Sequence, residues 1–254
     1  MNPLPSEATF GSSRLIRFLS QWELANVEVS HSHFVDRLGQ LIDFSDSINL
    51  ASTHRDLSSM AFEARPYSLE DSKALFLRVR SVIVQSIVKS TTPNVASGGR
   101  ALPNPNNGDE AELMMSFEPY RLFYVLQQRD MDTKIRNLRA QIRQEMKGAS
   151  PKLAQLSALD TALGDTLFTN TRKFFSVVPK LLAKRFEYLL QAHQSAVAND
   201  QASDNPAHWI APGGWMDQFY KEIQGLLLAE LEVRLQPVLG LIEALMKEVE
   251  KTDD

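Results

Sequence analysis

Two runs of apolar residues stepping alternately by three and four constrain this chain more than any other feature. Leu228, Leu231, Leu235, Val238, Ile242, Leu245 and Val249 hold that spacing across three heptads, and Met131, Ile135, Leu138 and Ile142 step by four, three and four. Side chains spaced this way line one edge of an α-helix, whereas a strand alternates with period two. The spacing therefore predicts an all-α protein: a long-helix bundle with an antiparallel coiled-coil-like hairpin and a long C-terminal helix.

The hairpin spans about 117–196. Its first helix runs from Phe117 to Lys147. Gly148 is placed to end it, Ser150 to cap the next helix and Pro151 to occupy the first turn of that helix. So short a connection forces antiparallel neighbours. The second helix continues to about Ala196 with Leu153, Leu156, Leu159, Leu163 and Leu167 facing the partner, and Pro179 is expected to kink or split it near Val178. The C-terminal helix covers about 216–251, bent at Pro237.

Before the hairpin, a short helix begins near Ser12 with Leu15, Ile16, Phe18, Leu19 and Trp22 on one face. A second helix starts near Ser30, and a third covers about 69–90 behind the N-cap Ser68 with Asp71 three residues on. The β-branched run Val82–Val88 also suits a strand, but a lone strand has no partner. Pro, Gly and Asn crowd the stretch after Thr91 and leave it no apolar face. This gives an N-terminal helical region at 1–90, a flexible linker at 91–112 and a long-helix domain at 113–254. A second loop, 197–214, runs up to the C-terminal helix, and Trp209 and Trp215 sit in this Pro/Gly stretch beside it.

The chemistry is bounded mostly by what is missing. The chain has no cysteine, so disulfides, thiolate nucleophiles and thiolate-bound metals are excluded. No Gly-x-Ser-x-Gly, His-Glu-x-x-His, phosphate loop or dinucleotide fingerprint occurs. His31, His33 and Asp36, with His54 as a further ligand, form the one candidate metal cluster. His31 and His33 do not share a helix face, so solvated polarity at a helix start is the better reading. The chain is read as no enzyme, with no cofactor and no metal; a hydrolase or metalloenzyme site built from distant helices is the remote alternative. No stretch reaches the length of a transmembrane helix and the N-terminus lacks a signal pattern, so a cytoplasmic location is expected.

Charge is divided between the long helices. From Arg121 to Lys152 eight bases stand against three acids, a net +5. From Asp217 to Asp254 nine acids, Glu230 among them, stand against four bases, a net −5. Opposite flanks of this kind pair helix with helix, within a chain or between chains. The leading reading is thus a scaffold or adaptor acting through protein contact, with itself or another protein as partner. Its interaction residues would be Leu228, Leu231, Leu235, Val238, Ile242, Leu245 and Val249, with Trp209 and Trp215 as hot-spot candidates. The two tryptophans suit anchors that pin the loop to the core even better, and Phe123-Tyr124 and Phe174-Phe175 are read as core. The alternative is nucleic-acid contact through Arg129, Lys134, Arg136, Arg139 and Arg143, although a net charge of −4 for the whole chain offers it little long-range attraction.

The runs Leu138-Arg-Ala-Gln-Ile-Arg143, Ser150-Pro-Lys-Leu153, Leu159-Asp160 and Val178-Pro-Lys-Leu-Leu-Ala-Lys-Arg-Phe-Glu187, with Phe34-Val-Asp-Arg-Leu-Gly39 in the N-terminal half, resemble an uncharacterised bacterial family of about this length. The motifs are packing and turn residues, and the family has no established activity to carry over. The resemblance implies members encoded beside envelope proteins of the proton-channel and peptidoglycan-binding types. It therefore implies a cytoplasmic accessory of an envelope-associated complex.

Overall fold

The structure is a computed structural model that describes residues 14–22, 44–57, 59–92, 102–104, 111–199 and 205–252. Among these residues there are eight helices and no strand. They are α1 (Arg14–Gln21), α2 (Phe44–Leu57), α3 (Leu69–Thr91), α4 (Ala111–Met114), α5 (Glu118–Ala149), α6 (Pro151–Ala198), α7 (Pro206–Trp209) and α8 (Trp215–Thr252). The β-branched end of α3 is helical, in keeping with its lack of a strand partner. α6 and α8 run unbroken through Pro179 and Pro237, so Pro179 does not split its helix. The expected start of a helix at Ser30 lies outside the described residues.

The chain forms two compact units, and neither is a continuous stretch. The first comprises Met1–Val27, Ser81–Asp132 and Ser176–Val233; the second comprises Glu28–Arg80, Thr133–Phe175 and Arg234–Asp254.

The first unit is organised around aromatic rings. Tyr120 of α5, Phe186 of α6 and Phe219 of α8 are fully buried, with ring centroids 5.1–5.4 Å apart. Trp215 packs 5.7 Å from Phe186 and 5.5 Å from His193, and Trp209 stands 6.0 Å from Trp215. Both tryptophans are therefore anchors, as their place beside a Pro/Gly loop suggested. Asn205 caps α7 by accepting the amide of Ala207 at 3.0 Å, ahead of Pro206 at the first turn. Leu102 and Asn104 are buried as well. The Leu102 amide donates to Ser90 O at 3.2 Å, and the Tyr220 hydroxyl donates to Pro103 O.

A strip of polar contacts runs through the same unit. Gln127 donates to the Ser90 hydroxyl at 3.1 Å, and Gln224 donates to the Thr91 hydroxyl at 2.7 Å. Glu230 has no solvent exposure and accepts from the Tyr124 hydroxyl at 2.9 Å and from Gln128 Nε2 at 3.0 Å. Counted in the sequence as part of a charged flank, Glu230 is instead a core residue satisfied by hydrogen bonds.

The second unit contains the turn of the α5/α6 hairpin. Ser150 accepts the Leu153 amide at 3.3 Å, and the fully buried Ser157 donates to Arg143 O at 3.2 Å. Arg139 and Arg143 both bind Asp160, which confirms the antiparallel register at this end of the hairpin. Ile135, Leu138, Ile142 and Met146 of α5 are buried, along with Leu235, Val238, Ile242 and Leu245 of α8. The α6 expectation is corrected here: Leu153 is buried, but Leu156 and Leu163 are each 37% exposed and Leu159 and Leu167 are half-buried. The buried edge of this part of α6 is Leu153, Ala154, Ser157 and Phe175. Phe175 is core, whereas Phe174 is 53% exposed. At the apex of the hairpin the Arg65 amide donates to Gly148 O at 3.0 Å. A Cβ on Gly148 would lie 2.7 Å from Arg65 Cβ, and that close approach is why a glycine stands there.

Candidate protein-interaction surfaces

The leucine seam read as an assembly surface is core. Leu231, Leu235, Val238, Ile242 and Leu245 are at most 2% exposed, and Leu228 and Val249 are half-buried. Trp209 and Trp215 are buried too. The chain's own helices cover these side chains, so a partner could reach them only by opening the fold.

The basic residues of α5 divide similarly. Arg139 and Arg143 converge on one carboxylate: Arg139 Nε donates to Asp160 Oδ2 at 2.8 Å and Arg143 Nε donates to the same oxygen at 2.6 Å. All three side chains are largely covered, with 23, 18 and 13% exposure respectively. Burial alone would raise the Asp160 carboxyl, but the hydrogen bonds and charge of the two guanidiniums hold it below its ordinary value. These two arginines brace the hairpin. Arg129 and Arg136 are exposed and Lys134 is half-buried.

An exposed surface of a different kind lies in the first unit, where α1, α6 and α8 meet. α1 can dock closely because Gly225 of α8 has no side chain: a Cβ there would lie 2.5 Å from Phe18 Cζ. Phe18 meets Trp22 edge-on at 6.0 Å. Arg185 stands 5.9 Å from the Trp22 ring centroid and 5.2 Å from that of Tyr188, which is 62% exposed. Glu222 fixes this arginine with two parallel hydrogen bonds of 2.8 and 2.7 Å, and Gln218 adds a third to the same carboxylate at 3.0 Å. The bond to Glu222 raises the Arg185 pKa against the opposing effect of burial, so the guanidinium keeps its charge. Beside it, Phe18, Gly213, Asp217, Gln218, Lys221 and Glu222 line an open groove of about 360 Å³. Burial would raise Asp217, but Lys221 at 2.7 Å and the Gly213 amide at 3.0 Å hold it below its ordinary value.

In the second unit Phe168 of α6 is 40% exposed and lies beneath two guanidiniums, Arg136 of α5 at 5.3 Å and Arg172 of α6 at 5.6 Å from the ring centroid. Neither this group nor the Arg185 group was picked out from sequence. A signal for Arg185 did exist: Arg185 and Tyr188 share a helix face at a spacing of three.

Among the described residues no group of three His, Asp or Glu side chains could hold a metal ion, and His31, His33 and Asp36 lie outside those residues. No described helix is long and apolar enough to cross a membrane. No curated protein and no solved structure matches the chain. A family model does match residues 1–247, and the chain therefore belongs to the family described as Protein of unknown function (DUF3348).

Proposed function

We propose that this protein is a non-enzymatic adaptor that works through protein–protein contact. The observation that carries the reading is the Arg185 group. Tryptophan, tyrosine and arginine are the residues most enriched at binding hot spots. Here the exposed Tyr188 and the half-buried Trp22 flank Arg185 beside a groove; the Arg185 side chain keeps 18% exposure and Glu222 fixes the orientation of its guanidinium. Such a surface loses little conformational freedom when a partner covers it. On the family resemblance alone, we place the protein in the cytoplasm as an accessory of an envelope-associated complex. The nucleic-acid reading ranks below this one, because two of its five residues, Arg139 and Arg143, are committed to Asp160.

The test is site-specific photocrosslinking in the native cell, with a photoreactive residue at position 188 of the full chain and nuclease in the lysis buffer. A crosslink to a specific protein that is absent from a matched probe at the exposed position Glu70 supports the adaptor reading. Crosslinks at position 188 no more frequent than at Glu70 reject it.

A further inference from the structure

We infer that two copies of this chain pair antiparallel through an apolar stripe of α6 in the second unit, about a two-fold axis near position 165. Leu156, Leu159, Leu163, Leu167 and Phe174, with Asn170 between the last two, follow the steps of three and four by which one helix meets another along its length. The chain's own core does not use this edge. The buried side of α6 here, Leu153, Ala154, Ser157 and Phe175, lies about a third of a turn away, and no residue from Ala158 to Phe174 is buried. Leu156 and Leu163 are each 37% exposed and Phe174 is 53% exposed. α2 reaches the edge of the stripe, where Gln155 donates to Leu57 O at 3.0 Å, but no described side chain of α2 is buried.

A second copy is favoured by the symmetry of the stripe and by its charge. In a two-fold pair, residue i meets residue j and j meets i. Pairing about position 165 sets Leu156 opposite Phe174 of the second copy and Leu163 opposite Leu167 of the second copy, so these pairs are apolar on both sides. Asp165 and Arg172 fall on the far side of the helix. Asp160 is already neutralised by Arg139 and Arg143, and Thr166, Asn170 and Thr171 border the stripe. No surplus charge there selects a partner of opposite sign or repels a like copy. Lys152 and Lys173 are exposed near its two ends. A parallel pair would set each lysine level with its own copy, whereas the antiparallel pair offsets them along the axis. The adaptor reading concerns a surface of the first unit, so position 188 can fail to crosslink while this pairing holds, and the reverse.

The test is light scattering behind size exclusion on the full chain, loaded at about 10–100 µM because an interface one helix wide belongs to the small, weak class. A mass that rises with concentration from monomer towards dimer is expected. Leu163→Asp brings a carboxylate into the contact from both copies and is expected to raise the dimer dissociation constant at least about tenfold. Leu122→Asp makes the same change at a leucine of the first unit that is 53% exposed and is expected to leave the constant within about twofold. Because Leu163 is already 37% exposed, helicity by circular dichroism is expected to be unchanged. The chain has no cysteine, so introduced thiols give a second test that holds whatever Leu163→Asp does to folding. Differently tagged Leu156→Cys and Phe174→Cys chains are expected to join through a short bis-maleimide when mixed. Leu156→Cys alone is expected not to join, because its two copies lie about 27 Å apart along the helices. The inference is overturned by a monomer at about 100 µM, which leaves the stripe to a different protein. It is also overturned by an equal loss with Leu122→Asp, or by Leu156→Cys joining to itself as readily as to Phe174→Cys.

Discussion

Replacing Asp160 with Asn tests the account of the hairpin most directly. The substitution keeps the shape and one acceptor oxygen but removes the charge that holds Arg139 and Arg143 together. Each arginine donates its Nε to one carboxylate oxygen, and the NH2 group of Arg143 also reaches Asp160 O at 3.1 Å. Removing one partner of a buried ion pair costs about 3–5 kcal/mol. Here the side chains keep 13–23% exposure, which places the expected loss at the low end, about 3 kcal/mol. For a chain of this size that corresponds to a melting-temperature drop of about 6–12 °C at neutral pH. The pH dependence adds a second test. The folded-state carboxyl lies below its ordinary value, so its stabilisation is fully present above the unfolded-state pKa of about 3.9. That stabilisation is lost as pH falls through the folded value. Thermal melts of wild type and Asp160→Asn, followed by circular dichroism, are expected to differ most at pH 7 and to converge towards about pH 2. Taking the difference between the two proteins cancels the titration of other, distant acids. A gap below about 1 kcal/mol at pH 7, or one that does not change on acidification, would refute the argument.

Leu235→Asp places an unpartnered carboxylate where the leucine is 2% exposed; the expected loss of at least about 5 kcal/mol abolishes the cooperative melt. Size-exclusion chromatography with circular dichroism checks it, and a folded species of smaller assembly size would instead show that the seam joins chains. Gly148→Ala gains about 1 kcal/mol of helix propensity but drives a methyl to 2.7 Å from Arg65 Cβ and 3.2 Å from Arg65 O. A net loss of about 1–2 kcal/mol follows, read as a lower denaturation midpoint; a raised midpoint would mean the approach relaxes freely.

Local signals in the sequence carried most of the fold. Ser68 accepts the Asp71 amide at 3.1 Å and Ser150 accepts that of Leu153, where cap residues were expected. The C-terminal helix begins at Trp215 and ends at Thr252, within a residue of the 216–251 read from its heptads. Those heptads could not say what covers them, because a helix of the same chain and a helix of another chain impose the same spacing. Glu230 was counted with the flank acids because polarity is a property of the residue; its partners Tyr124 and Gln128 lie more than a hundred positions away. The two surface groups were hidden for a related reason. Arg185 meets Glu222 across 37 residues and Arg136 meets Phe168 across a hairpin, so either pairing needs a register that side-chain spacing alone does not fix.

The polar strip of the first unit links substitutions that lie far apart in the chain. Hydrocarbon side chains could fill the same space with equal or greater stability, yet leucine against leucine barely distinguishes one helical turn from the next. Hydrogen bonds do distinguish them. Sliding α8 by a turn takes Glu230 from Tyr124 and Gln128, and Gln224 from Thr91, leaving buried polar groups stranded. A change at one member of the strip is costly until its mate changes too. Among sequences of this family, positions 90 with 127, 91 with 224, and 230 with 124 and 128 will therefore vary as pairs rather than singly, while the leucines around them drift independently.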